Sequence, residues 1–185
     1  MSKWNKLTLT NAGLQLLANA QNGSPLVITH IELGDGVLPA NFDVKAMTKL
    51  TVTKQVLEIG EYEVLPGGKL RINSAITNEG LSDGYYIRQL GVFARGASGN
   101  PQLYMMATDN APDFLSEEDG TVITQEFDVY LTTAGATNLV VETSAANIVT
   151  FGNLKREVKK AMAGIEFVID KTDNGLNLVY GDDEL

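Results

Sequence analysis

Between Lys69 and Thr77 the chain alternates: Leu70, Ile72, Ser74 and Ile76 share one face of an extended strand, and Lys69, Arg71, Asn73 and Thr77 share the other. Successive strand residues point to opposite sides, so this run buries one face and wets the other, the pattern of a half-buried antiparallel strand. Such a strand needs partners, and the flanking sequence supplies them. Residues 26–33 and 51–59 are rich in β-branched residues, and residues 85–94 are apolar on both faces towards their end, as in a central strand. Residues 103–107 return as a hairpin across Ser98-Gly99-Asn100-Pro101, and residues 121–131 place Ile123, Phe127, Val129 and Leu131 on one side. Leu139–Val141 is a last short strand. Gly34-Asp35-Gly36 and Pro66-Gly67-Gly68 are turns, residues 37–49 a loop with one helical turn, and residues 108–120 a polar, acidic loop.

One helix precedes the strands. Thr10 or Asn11 caps it, Leu14, Leu16, Leu17 and Ala18 carry it, and Gly23 and Pro25 end it. The expectation for residues 1–150 is therefore an α+β domain, an N-terminal helix plus a mainly antiparallel β-sheet.

Residues 151–185 differ. Phe151, Leu154, Val158, Ala161, Ile165 and Val168 recur at alternating spacings of three and four, a heptad seam. Gly164 interrupts it, so a short C-terminal helix is expected to end near Ala163. Ile165–Asp170 and Leu176–Tyr180 then read as a β-hairpin across the turn pair Asn174-Gly175. The six seam residues are the candidate oligomer interface. Either the chain's own domain covers them or further copies do so around a three-fold axis.

Chemistry is hard to find. The chain has no cysteine and a single histidine, His30, within a strand; that rules out thiol chemistry and a typical zinc site. A lone strand histidine is more often structural than catalytic. No Gly-x-Ser-x-Gly, phosphate loop or Gly-x-Gly-x-x-Gly occurs. Asp35, Asp83, Asp109, Asp113 and Glu117 are candidate carboxylates, but they sit in Gly- or Pro-containing loops where acidic residues form solvated turns. Asp170, Asp173 and Asn174 lack the spacing of a calcium loop. Arg88, in an apolar strand, needs a partner, either an acidic residue of the same domain or another subunit. Trp4, the only tryptophan, is expected to pack on the first helix. With 23 acidic against 14 basic residues, a net charge of −9 disfavours nucleic acid and anionic membrane surfaces. Only Lys155, Arg156, Lys159 and Lys160 cluster. No run approaches a membrane span of about 20 apolar residues, and no signal peptide is evident, so the chain is expected to stay in the cytoplasm or leave without a signal. No enzyme, cofactor or metal is expected.

Two blocks together carry a resemblance. Leu7-Thr8-Leu9-Thr10-Asn11-Ala12-Gly13-Leu14-Gln15-Leu16-Leu17-Ala18-Asn19-Ala20, followed by Ile28-Thr29-His30-Ile31-Glu32-Leu33-Gly34-Asp35-Gly36, resembles the opening of the phage tail-collar fibre family, the N-terminal baseplate-attachment domains of fibres in P2-like contractile phages and related tail bacteriocins. Tyr86-Ile87-Arg88-Gln89-Leu90-Gly91-Val92-Phe93 is similar to that family's second block, with Gln89 in place of its usual Glu, a departure expected to remove a polar contact. A weaker match runs from Asn138–Asn147 into Val149-Thr150-Phe151, where the family enters its fibre shaft; the likeness spans about residues 1–155.

The resemblance implies a virion structural protein, a homotrimer that fastens a fibre to a baseplate protein of a contractile tail, assembled in the bacterial cytoplasm. Family fibres continue into a long shaft and a tip for host recognition. Residues 164–185 are too few for such a tip, so the expectation is either a short adapter whose C-terminal hairpin docks a separate receptor-binding protein, the preferred reading, or the complete attachment subunit of a reduced fibre. The alternative is a carbohydrate-binding or carbohydrate-active β domain at the bacterial cell surface, which needs aromatic platforms and paired carboxylates in a cleft.

Overall fold

A computed structural model of the chain describes residues 3–133, 136, 138–144, 165–169 and 176–180. The chain divides into two compact units, Met1–Ile148 and Val149–Leu185.

In the first unit the elements run β1 (Thr8–Leu9), α1 (Asn11–Gln21), β2 (Leu26–Gly34), a single 3-10 turn (Val44–Ala46), β3 (Thr53–Glu58), β4 (Glu61–Leu65), β5 (Lys69–Thr77), β6 (Tyr85–Tyr86), β7 (Gln89–Arg95), β8 (Gln102–Thr108), β9 (Phe114–Leu115), β10 (Thr124–Thr132) and β11 (Leu139–Val141). Six strands form one sheet in the order β1-β8-β7-β2, and the far edge of β2 is divided between two partners. β11 runs parallel to Leu26–Ile28, and β3 runs antiparallel to His30–Gly34. A second, antiparallel sheet has the order β10-β5-β4. β6 and β9 form a short pair of their own. The fold is α+β, mostly antiparallel sheet.

The main core combines the inward faces of both sheets: Ile28, Ile31 and Leu33 of β2, Leu90, Val92 and Ala94 of β7, Leu70, Ile72 and Ile76 of β5, Val129 and Leu131 of β10. The alternation read in 69–77 is realised only in part: Lys69 and Arg71 lie on the outer face, Arg71 between Glu63 at 3.3 Å and Asp128 at 3.1 Å, but Asn73 and Ala75 of that same face are buried as well. Ile28 and Ile31 are three residues apart yet share the core because a bulge at Thr29 inserts one residue against β7. The same device at Tyr104 lets Tyr104 and Met105 both join the core.

Thr10 caps α1: its hydroxyl accepts from Gly13 N at 2.9 Å and donates to the carbonyl of Leu103 in β8. One side chain therefore starts the helix and fastens it to the sheet. A Cβ on Gly13 would stand 2.0 Å from the Tyr104 carbonyl oxygen, so only glycine lets the helix lie this close.

Several expectations need correction. Residues 85–94 are not one strand. The chain leaves the six-stranded sheet at Ile87 and Arg88, so Tyr85 and Tyr86 pair instead with Leu115 and Phe114. An apolar run does not encode such a switch of partner. β4 was not anticipated, and its residues Tyr62 and Val64 remain 46% and 63% exposed, an edge strand with a weak alternation signal. β11 is parallel, not antiparallel, to its neighbour. Ile123 precedes β10 and is 44% exposed, outside the apolar face expected of it.

In the second unit β12 (Ile165–Ile169) and β13 (Leu176–Tyr180) pair antiparallel, Ile165 opposite Tyr180 and Ile169 opposite Leu176, as the hairpin reading expected. Ile165 and Val168 thus belong to a strand, so the helical spacing of the seam does not continue through them. Phe151, Leu154, Val158 and Ala161, with the expected helix, lie outside the described residues. Among the described residues no helix is long and apolar enough to cross a membrane.

Two core phenols give the fold a pH signature. Burial raises Tyr104 from its ordinary 10.0 up to about 12, and raises Tyr85 further. Both stay neutral in the folded chain, donating to Thr132 O at 3.1 Å and Gln55 Oε1 at 2.8 Å. The unfolded chain ionises first, so their contribution is whole below about pH 10 and is lost as pH rises through the folded values. Urea unfolding midpoints should stay level up to about pH 9.5 and fall steeply beyond it, with the tyrosinate absorbance of these two residues appearing only as the chain unfolds. Midpoints unchanged to pH 12 would contradict this burial.

Candidate functional site

The two blocks that carry the family resemblance, some fifty residues apart, fold into adjacent strands: β2 pairs with β7 from Val27–Arg95 to Gly34–Gln89. Their ends interlock. The backbone N–H of Arg88 donates to Gly34 O at 2.9 Å, and its guanidinium pairs with the carboxylate of Asp35. The same guanidinium lies 4.5 Å from the ring centre of Tyr86, which meets Phe114 edge-on at 5.0 Å. Arg88 therefore finds its partner within the domain.

Gln89 is fully buried. Its Oε1 accepts from Thr51 N at 2.9 Å, and its Nε2 donates to Gly36 O at 2.7 Å. The amide makes a donor contact to a carbonyl that a carboxylate cannot make. These bonds hold residues 35–52 over the back of the six-stranded sheet, where Leu38, Val44 and Met47 pack on Leu50, Phe93, Leu103 and Met106. Three glycines make room: a Cβ on Gly34 would stand 2.9 Å from Val52 O, one on Gly36 2.4 Å from Thr51 Cβ, and one on Gly91 2.8 Å from Leu103. On the same side His30 stacks on Phe93 at 4.8 Å, with Nδ1 2.9 Å from Thr29 Oγ1 and Nε2 3.5 Å from Glu32. That is a packed structural histidine.

The carboxylates scatter. Asp35 is paired with Arg88, Asp83 lies in an exposed turn beside Ser82, and Glu117 accepts from Asn78 through its backbone carbonyl. Asp109 and Asp113 do come together, along a groove between the two sheets. Asp170, Asp173 and Asn174 lie outside the described residues. Among the described residues no three His, Cys, Asp or Glu side chains are placed to hold a metal ion.

The groove has a volume of about 440 Å³. Leu33, Ile76, Leu90 and Val129 form its floor, and Trp4, Asn5, Asp109, Asp113, Gln125 and Tyr130 are among its borders. Trp4 is not where the sequence suggested: its backbone bridges to Asp109 and its ring is 40% exposed at this groove. Asp109 Oδ1 accepts from Lys3 N at 2.7 Å and Ala111 N at 2.8 Å, whereas its Oδ2 is buried without a partner. Sequence reasoning missed the groove because its walls come from opposite ends of the domain. The geometry suits binding better than bond-making: an apolar floor, a carboxylate rim, and no nucleophile paired with a base among the described residues.

Comparison of the chain with protein-family models, with curated proteins and with solved structures gave no match.

Replacing Gln89 by glutamate tests the interlock. Q89E sets a carboxylate oxygen against Gly36 O and forfeits one buried hydrogen bond, so it should cost about 1–3 kcal/mol at neutral pH and less in acid, where a protonated carboxyl can donate. Urea unfolding at the two pH values measures this; an equally stable variant at neutral pH would show that the amide does not hold the loop.

Proposed function

We propose that this chain is a non-catalytic structural component of a contractile phage tail or tail-like bacteriocin, attaching a fibre or a separate receptor-binding protein to the baseplate. One observation carries the reading. Parts of the two blocks that resemble the tail-collar fibre family meet: Gly34, Asp35 and Gly36 contact Arg88 and Gln89, with Gln89 buried and the Arg88–Asp35 pair partly exposed. In this reading the first unit seats on a baseplate protein. Residues 151–163 form a helical stem that associates as a homotrimer through the seam at Phe151, Leu154, Val158 and Ala161, and the hairpin bearing Ile165 and Val168 docks the next component. Nucleic acid and membrane have no part in it.

A second reading has one observation in its favour. Trp4, Asp109 and Asp113 border one groove, the aromatic platform and carboxylate pair that a carbohydrate-binding domain requires. The apolar floor counts against it, because sugars need a dense set of hydrogen-bonding partners.

The attachment reading is tested by expressing a tagged chain with the tail genes and imaging purified particles. The tag is expected at the baseplate rim. Substituting Leu154→Asp together with Val158→Asp should leave particles without the tag and shift the purified chain from trimer to monomer in light scattering, with its circular dichroism preserved. Absence of the unsubstituted chain from particles, or a strict monomer at micromolar concentration, would refute it.

A further inference from the structure

Strand β4 is an edge of the second sheet: β5 pairs with one side of it, and among the described residues no strand pairs with the other. Its core-facing side is poorly covered. Tyr62 stands opposite Ile72 and Val64 opposite Leu70, and cross-strand partners share a face. Leu70 and Ile72 are fully buried, whereas Tyr62 and Val64 on that same face are exposed. An open edge that carries apolar side chains is one that folded chains cover. Just before β4 the chain meets its own later segment. Ile59 O and Gly60 N belong to one trans peptide, so they point to opposite edges. Gly60 N donates to Asn73 O in β5 at 3.0 Å, which leaves Ile59 O on the open edge, where it accepts from Ser144 N at 3.1 Å. The bridge between Ile59 and Thr143 is parallel. Glu142 fixes the approach to it: its N–H donates to Ile28 O at 2.9 Å, and its carboxylate pairs with Arg95 at 2.6 Å.

We infer that the chain's own residues 145–148 continue from this bridge along the open edge of β4, as a fourth strand parallel to it. The bridge sets the register. Ala146 falls opposite Tyr62 and Ile148 opposite Val64, while Ala145 and Asn147 fall opposite Glu61 and Glu63. The one large apolar residue of the segment thus meets the exposed apolar face, and its one polar residue lies on the side of the glutamates. A slip of one residue reverses that match and sets Asn147 on the apolar face. The pleat repeats every two residues, so Glu61 and Glu63 turn their main-chain groups to the same edge as Ile59. Parallel pairing then makes four evenly spaced bonds: Glu61 N to Ser144 O, Ala146 N to Glu61 O, Glu63 N to Ala146 O and Ile148 N to Glu63 O. The first unit extends to Ile148, where this strand ends. Residues 139–148 then repeat what 53–65 do, entering in the six-stranded sheet and leaving in the second one. An edge closed by its own chain is closed to other proteins, so β4 is not a docking strand. This strand lies within the first unit and does not depend on the tail-component reading.

Amide hydrogen exchange on the full, unsubstituted chain, followed residue by residue by NMR, reads the register directly. The amides of Glu61, Glu63, Ala146 and Ile148 are expected to exchange about a hundredfold or more slowly than those of Ala145 and Asn147, which point away from β4. Unprotected amides at Ala146 and Ile148, or protection at Ala145 and Asn147 in their place, would overturn the proposal whatever any variant does. A cross-link then identifies whose segment lies on the edge. The chain has no cysteine, so Glu63→Cys with Asn147→Cys introduces a single reactive pair. A short bis-maleimide should join the pair within one chain, giving a faster-migrating monomer band whose yield is independent of protein concentration. Covalent dimers from a mixture of the two single-cysteine chains would place a second copy's segment there and contradict the inference. So would the absence of any cross-link in a variant with native circular dichroism. Both substitutions lie outside the six-residue seam, so loss of trimer formation leaves these results readable.

Discussion

The fold rests on covering the two central strands, β2 and β7, on both faces, and the buried amide of Gln89 is the contact that closes the second face. One face is covered by the three-stranded sheet and needs nothing beyond apolar complementarity. The other is covered by residues 35–52, a loop with one short turn of helix and no strand to hold it in place. Such a loop has to be tied down by specific bonds, since backbone groups carried over an apolar surface otherwise go unsatisfied. Gln89 meets that need with a donor and an acceptor at once, to Gly36 and Thr51. The glycines at 34, 36 and 91 are the steric half of the same arrangement. Phe93, His30 and Glu32 then stack along the covered face.

Much of this was legible in the sequence, for reasons that can be named. Strand β5 announced itself because its first half, Lys69–Ile72, buries one face only, and period-two alternation is what half-burial produces; from Ile72 to Ile76 both faces are covered. Helix α1 was bounded by a threonine cap that the structure uses. The hairpin at Ser98–Pro101 and the pairing of Ile165–Ile169 with Leu176–Tyr180 followed from turn chemistry. What stayed hidden was non-local. The break at Ile87 and Arg88 depends on where Tyr85 finds a partner, and the parallel strand β11 on which edge of β2 is still open. A bulge at Thr29 puts Ile28 and Ile31 on one face, a spacing that simple alternation assigns to opposite faces. The groove is the same kind of feature, since Trp4 and Phe127 meet only after the two sheets stack.

The division of labour within the first unit bears on function. Gly34, Gly36, Gln89 and Gly91 lie inside the first unit, where they secure the strand order and the loop, whereas Asn11, Leu14, Gln15, Ala18 and Asn19 of α1 are exposed. The groove lies in parts of the chain outside the blocks that resemble the tail-collar fibre family, apart from Leu7, Leu33, Ile87 and Leu90, which contribute wall and floor.

The amide hydrogen of Thr51 reports directly on the interlock, because it donates to the buried Oε1 of Gln89. Native-state hydrogen exchange compares it with the amides of β2 and β7. If the loop is an integral part of the core, Thr51 exchanges only through the same global opening as those strands, with the same free energy and the same denaturant dependence. Exchange of Thr51 at the rate of a fraying loop, while β2 and β7 stay protected, would mean that Gln89 does not hold the fold together.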